Sequence, residues 1–150
     1  MCVVLCSIGW DVAAQTWLGA IKPAQTQITD LPQILGRSSK QRGGDGLLFE
    51  AKEGNIFVEY SLGRCIKGTW GSWDLEKGTV IHLTFYPAKP RRLSSYKLPT
   101  ANMREESFHG SSSFVNDTAG FLFVVNGGRV REISYFPALE FQSLRCSEQN

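Results

Sequence analysis

The hydrophobic and polar positions of this chain repeat one pattern twice. Residues 80–87 and residues 130–137 both alternate apolar and polar side chains and end in two aromatic residues and a proline. Most paired positions keep identity or type, and an apolar run led by glycine precedes each copy. Alternation with a period of two is typical of a β-strand with one buried face. The repetition therefore predicts a duplicated unit that ends in this strand.

Comparison of the two copies predicts which face of the strand is buried. The predicted inner face holds the apolar members of both copies: Leu83, Phe85, Ile133 and Tyr135. The predicted outer face holds the polar members: His82, Thr84, Glu132 and Ser134. Because an antiparallel sheet commonly exposes its polar face to water, His82 is interpreted as a solvated strand residue rather than a catalytic base.

Hairpins complete the predicted units. Apolar runs at residues 47–51 and 56–61 flank a turn, and residues 112–116 and 121–125 do the same in the second half. The sequence Asn126-Gly127-Gly128 gives the clearest tight-turn signal before the second copy of the strand. Each unit is thus predicted to hold three strands, and the pair an antiparallel β-meander of about six strands.

A short helix is predicted ahead of the first unit, within residues 26–36. Thr29 or Asp30 can cap its start, and Gly36 is placed to end it. Its apolar side chains recur at helical spacing: Ile28, Leu31, Ile34 and Leu35. The fold class is therefore α+β, with the helix packed on one face of the sheet. Residues 37–46 are predicted to form a loop and residues 102–108 a weak helical turn.

Composition limits the domain count and the class of partner. At 150 residues, with 42% apolar and 20% charged residues, the chain has the composition of one globular domain. A net charge of +2 without interleaved aromatic and basic residues argues against a nucleic-acid partner. No apolar run reaches the roughly 18 residues of a membrane span. Residues 15–150 are predicted to form a single domain.

The segment before that domain differs from it. Residues 1–14 are mostly apolar, and Val12-Ala13-Ala14 precedes Gln15, so that small residues stand at positions −3 and −1 of a cleavage site after Ala14. Because the segment is short and has no positive charge, it is interpreted as a truncated signal peptide. This predicts an exported protein, periplasmic or secreted. The alternative is a buried N-terminal strand in a cytoplasmic protein.

The cysteines divide along the same boundary. Cys2 and Cys6 lie in the predicted signal peptide, which leaves Cys65 and Cys146 in the domain. A pair of cysteines in an exported domain favours one disulfide. Two buried free thiols are the alternative for a cytoplasmic protein. Neither cysteine has a second ligand at the spacing of a zinc site.

The sequence shows no local set of catalytic residues. Neither histidine, His82 or His109, has a nucleophile and an orienting group nearby in sequence, and the carboxylates are scattered. No catalytic residue, metal ligand or cofactor is therefore predicted.

Three features remain as candidate binding surfaces. Trp70 and Trp73 could form an aromatic platform for a glycan or peptide, or fill the core beside Cys65. Residues 89–92 (Lys-Pro-Arg-Arg) could bind an anionic partner, or form a solvated connection. Residues 121–125 are apolar on both faces, which calls for a cover on the second face. Either the N-terminal segment supplies this cover, or three phenylalanines contribute to a binding surface: Phe57, Phe121 and Phe123.

Short motifs spread over residues 17–146 combine into a familiar order. They are residues 17–23 (Trp-x-x-x-Ile-x-Pro), 29–36 (Thr-Asp-Leu-x-x-Ile-Leu-Gly), 57–65 (Phe-Val-Glu-Tyr-Ser-x-Gly-x-Cys), Trp73, 79–87, and 144–146 (Leu-Arg-Cys). This order resembles uncharacterised exported proteins of soil bacteria. The resemblance implies export and a Cys65–Cys146 disulfide, and it implies no activity. A helix ended by glycine before a β-meander also resembles, more distantly, outer-membrane assembly lipoproteins of the SmpA/OmlA type and the β-lactamase inhibitor protein, which act by binding proteins.

These observations predict an exported, non-catalytic domain that binds another protein or an envelope component. The alternative is an exported hydrolase acting on carbohydrate or cell-wall material, with Trp70 and Trp73 as its platform and two acids as its chemistry.

Overall fold

The computed structural model describes residues 19–96 and 100–147, so the predicted signal peptide at residues 1–14 lies outside the described residues. One short helix, α1 (Leu31–Leu35), precedes the sheet. The strands are β1 (Lys40–Arg42), β2 (Gly46–Ala51), β3 (Gly54–Tyr60), β4 (Val80–Pro87), β5 (Arg104–Phe108), β6 (Ser111–Asn116), β7 (Phe121–Asn126) and β8 (Arg129–Tyr135). Two 3-10 segments, Leu93–Ser95 and Leu139–Leu144, follow β4 and β8.

All eight strands form one antiparallel sheet in the order β1-β2-β3-β4-β8-β7-β6-β5. The fold is therefore mainly a sheet with little helix, and the prediction of six strands was too low. The additional strands β1 and β5 lie at the two edges, in segments predicted as a loop and a helical turn. Every residue of β1 is exposed, so backbone pairing with β2 forms this strand without an apolar pattern in its sequence.

The two copies of the repeated strand, β4 and β8, pair with each other in the middle of the sheet. Thr84 lies directly opposite Ser134, 50 positions later in the sequence, which is its counterpart in the repeat. Leu83 lies opposite Tyr135, and Phe85 opposite Ile133. The ladder thus has approximate two-fold symmetry about the Thr84–Ser134 pair. Each half of the sheet is a four-stranded meander that ends at this pair.

The core lies on the inner face, as the alternation predicted. Leu83 and Ile133 are fully buried and Phe85 is 5% exposed. Helix α1 covers this face with Leu31 and Leu35, which belong to the same cluster of buried side chains. Gly36 ends the helix in the left-handed conformation, with φ of 64°. The predicted position and packing of the helix are confirmed, although it is only five residues long.

Equivalent glycines close the hairpin ends of the two units. A Cβ atom on Gly54 would lie 2.3 Å from the carbonyl oxygen of Tyr86, and one on Gly120 would lie 2.3 Å from that of Phe136. Tyr86 and Phe136 occupy the same position of the repeat. The close approach therefore requires glycine at both places.

The segment between β3 and β4, residues 62–78, belongs to the first unit alone. A disulfide joins Cys65 in this segment to Cys146 near the C-terminus. Beside it, Trp73 pairs with Arg145 in an isolated bridge, and the Arg145 guanidinium lies 5.7 Å from the centre of the Trp73 ring. The predicted pairing of the two cysteines is present. The segment and the C-terminus are thereby fixed to each other.

Reduction of the Cys65–Cys146 disulfide should lower the free energy of unfolding by about 2–5 kcal/mol, because the bond restricts the unfolded chain across a long loop. The separation of 81 residues corresponds to about 4.5 kcal/mol in the chain-entropy treatment, before any strain is subtracted. Urea denaturation with and without reductant measures the difference. The doubly substituted variant C65S/C146S should show no response to reductant, and an equal response in both proteins would contradict the prediction.

Candidate functional site

The outer face of the sheet is not solvated at its centre. His82 is 7% exposed, Thr84 2% and Ser134 1%, so the interpretation of His82 as a surface residue was wrong. The physical reason is the segment of residues 62–78, which reaches over this face. The Trp70 ring stacks on the His82 ring with 3.8 Å between centroids and 25° between planes.

The buried polar side chains of the outer face are joined by hydrogen bonds. His82 Nδ1 lies 3.0 Å from Glu59 Oε2, and His82 Nε2 lies 3.3 Å from the Thr84 hydroxyl. The Thr84 and Ser134 hydroxyls are 3.0 Å apart, and the Ser134 hydroxyl lies 3.0 Å from Glu132 Oε1 as its donor. We call these five residues the polar network. It crosses three strands, β3, β4 and β8.

The polar network follows the symmetry of the sheet and then departs from it. In each copy the central hydroxyl contacts the side chain two positions earlier, His82 in β4 and Glu132 in β8. Glu59 lies opposite His82 in the ladder, whereas Val124 lies opposite Glu132. The first unit therefore ends in a carboxylate–imidazole pair, and the second in a lone carboxylate beside an apolar residue.

Counting hydrogen atoms shows how many donors the contacts of the polar network require. Its four contacts require four hydrogens. With Glu59 and Glu132 ionised, a neutral His82 ring and the hydroxyls of Thr84 and Ser134 supply three. A fourth proton, on His82 Nε2 or on Glu132, completes the set.

Tyr86 borders the network at its solvent side. Its side chain is 47% exposed. Partial burial raises the pKa of the Tyr86 phenol, and the negative charges of Glu132 and Glu59 raise it further, while a hydrogen bond with Thr84 acts in the opposite direction. Both carboxylates therefore act on the same phenol from the two ends of the network.

Two of the three predicted surface phenylalanines are core residues. Phe121 is 3% exposed and Phe123 is 1% exposed, within the cluster that helix α1 covers. The prediction of a surface at these two positions was wrong, because β7 is apolar on both faces and alternation alone could not show which face turns inward. Phe57 lies on the outer face instead, opposite Thr84, and is half-buried.

The tryptophans of residues 62–78 have separate roles. Trp73 is 3% exposed and packs with Leu75 and Ile81. Its indole Nε1 donates a hydrogen bond to the Trp70 carbonyl oxygen at 3.0 Å. Trp73 therefore fills a small core beside the disulfide. Trp70 remains half-buried above His82.

Sequence reasoning missed Glu59, Thr84, Ser134 and Tyr86 as neighbours. The signal was present in the repeat, because polar residues recur at matching positions of both copies. What was not evident is that the two copies pair with each other, which brings these positions together.

Within residues 19–96 and 100–147, no group of three or more His, Cys, Asp or Glu side chains is arranged to hold a metal ion. None of the helices in the described part of the chain has the length and apolar character of a membrane span. No protein-family model, curated protein or solved structure matches the chain.

Replacement of Glu132 by glutamine should lower the free energy of unfolding by about 1 kcal/mol, because the hydrogen bond that the Ser134 hydroxyl donates to a carboxylate is stronger than one donated to an amide. Urea denaturation measures the difference. E140Q changes an exposed carboxylate outside the network and should remain within about 0.5 kcal/mol of the wild type. An equal change in both variants would contradict a contribution of Glu132 through the network.

The Tyr86 phenol should ionise above the usual pH range for tyrosine, because burial and the two carboxylates favour its neutral form. Absorbance titration of the wild type minus Y86F isolates this group. E132Q should move the ionisation to lower pH, since one negative charge is removed, and E140Q should leave it in place. An unchanged Tyr86 titration in E132Q would show that Glu132 does not act on the phenol.

Proposed function

We propose that the protein is an exported, non-catalytic domain that binds another protein or an envelope component through the outer face of its sheet. One observation carries the proposal. Four apolar or aromatic side chains surround the buried Thr84–Ser134 pair and remain partly exposed: Phe57, Trp70, Tyr86 and Leu122. We call this set the outer patch.

Contacts with the polar network place the members of the outer patch around one centre. Phe57 lies opposite Thr84 and Leu122 lies opposite Ser134 in the ladders. Tyr86 follows Thr84 by two positions on β4, so both side chains lie on the same face of the sheet. Trp70 stacks on His82, the other partner of Thr84. Aromatic side chains supply large contact areas with few rotatable bonds, which suits them to binding surfaces.

The surroundings of the outer patch support a rigid surface. The His82 ring beneath Trp70 is held by its contacts with Glu59 and Thr84. The Cys65–Cys146 disulfide fixes the segment that carries Trp70. Among the described residues, every fully buried side-chain nitrogen or oxygen has a hydrogen-bond partner. A surface that is ordered before binding loses less conformational entropy when a partner docks.

The hydrolase alternative receives less support from the same residues. Glu59, His82 and Thr84 stand in the order carboxylate, imidazole, hydroxyl, as in nucleophilic catalysis. Such chemistry requires a nucleophile that a substrate can reach. Thr84 is 2% exposed and Ser134 is 1% exposed. The arrangement is therefore better suited to supporting a surface than to attacking a substrate.

Export is the second part of the proposal. A structural disulfide persists in oxidising compartments and is rare in the cytoplasm. The Cys65–Cys146 bond agrees with an exported protein. Thiol counting on the protein isolated from its natural host tests this part, and free thiols at both positions would contradict it.

If the outer patch is a binding surface, the partner that co-purifies with the wild-type protein from the host envelope should be lost in F57A/Y86A. I34A is the matched control, because Ile34 is half-buried on helix α1, which packs on the opposite face of the sheet. Thermal unfolding establishes that both variants are folded. Capture that persists in folded F57A/Y86A would contradict the outer patch as the binding site. Release of soluble sugar or peptide from envelope material by the wild type but not by H82A would favour the hydrolase instead.

A further inference from the structure

A second surface forms where the connection after β4 docks against the turn between β7 and β8. Arg92 pairs with Arg129 in an isolated antiparallel bridge. The amide of Val130 donates to the carbonyl oxygen of Arg91 at 2.8 Å, and the Arg129 guanidinium donates to that of Pro90 at 3.1 Å. Two segments far apart in sequence thereby bring basic residues together at one end of the sheet.

We call this set the basic cluster. Its members are all exposed: Lys89, Arg92, Arg129 and Arg131. Within residues 19–96 and 100–147, none of these four takes part in the ion pairs formed by Arg37, Lys40, Arg64, His82 and Arg104. The nearest acid in sequence, Glu132, accepts a hydrogen bond from Ser134 within the polar network. The positive charge of the cluster is therefore not balanced by these ion pairs.

This arrangement is costly unless an anion joins it. Like charges directly opposite each other destabilise a pair of strands, and Arg92 and Arg129 are directly opposite. The whole chain carries a net charge of only +2, so the accumulation is local. Guanidinium groups bind phosphate oxygens through paired hydrogen bonds. Phosphate is accordingly an anion that this set of side chains is suited to bind.

We propose that the basic cluster docks the protein on an anionic phospholipid surface. A flat surface fits better than a single small anion, because the basic side chains are exposed and spread along a connection and a turn. Gly127 and Gly128 at the tip of that turn have open space where a side chain would stand, so the tip can approach a plane closely. Each basic residue near such a surface strengthens binding about fivefold.

This inference goes beyond the proposed function and uses different residues from the outer patch. Its test needs no knowledge of the partner. The full protein is sedimented with vesicles of phosphatidylglycerol and phosphatidylcholine, and with vesicles of phosphatidylcholine alone. Binding is expected to the anionic vesicles, and it should weaken as sodium chloride is raised, since salt screens the attraction.

Matched variants assign the binding to the cluster. R92S/R129S should bind the anionic vesicles about 25-fold more weakly than the wild type, at about fivefold for each residue. K67S/K77S removes the same charge from exposed positions that precede β4, at the other end of the sheet, and should bind nearly as the wild type does.

Three outcomes would overturn the proposal: equal binding to both kinds of vesicle, unchanged binding of R92S/R129S, or equal loss in both double variants. Displacement by inorganic phosphate at an ionic strength at which chloride has no effect would indicate a site for a small anion and would also overturn it. F57A/Y86A should retain vesicle binding. The proposal for the outer patch and the proposal for the basic cluster can therefore be contradicted separately.

Discussion

The hydrogen bond between the Thr84 and Ser134 hydroxyls lies at the point where the two halves of the sheet meet. Strands β4 and β8 join two four-stranded meanders, and this pair sits on their approximate two-fold axis. Both hydroxyls are almost fully buried. Loss of one hydroxyl would remove a buried hydrogen bond, with a net value of about 1 kcal/mol, and would separate the His82 end of the network from the Glu132 end. This contact therefore links the polar side chains of the two halves.

A buried polar centre on the outer face requires a cover, and the first unit supplies it. Residues 62–78 place Trp70 over His82, and Trp73 and the disulfide secure that segment to the C-terminus. The duplication provides a symmetric frame, and the added segment breaks its symmetry at the face that carries the candidate site.

The edges of the sheet differ from this centre. Strand β1 is short and exposed, and β5 carries Arg104 beside Glu106 and Asp117; short length and charge are features that discourage pairing with other chains.

The elements with an apolar pattern could be predicted from the sequence. The helix end at Gly36, the two hairpins and the inner face of the repeated strand followed from local periodicity and turn chemistry. The edge strands could not be predicted, because ladder hydrogen bonds rather than apolar side chains define them. The environment of His82 was also hidden, since its burial depends on Trp70, a residue in another segment. Phe121 and Phe123 were misplaced because both faces of β7 are apolar, and the register with β8, which sets these residues opposite Tyr135 and Ile133, decides which face turns inward.

The polar network also explains why the repeated strand pairs with its copy in one register. A shift by two residues would leave the inner face apolar, so hydrophobic burial alone would tolerate it. Such a shift would place Thr84 opposite Glu132 or Phe136 and break the central hydroxyl contact. The two ends of the network also differ, with His82 on one strand and Glu132 on the other. If β4 paired with β4 of a second protein molecule, an imidazole would stand at each end and the Glu132 acceptor would be missing. The unlike ends therefore favour β4 with β8 within one chain, and a difference between the copies gives the duplicated strand its specificity.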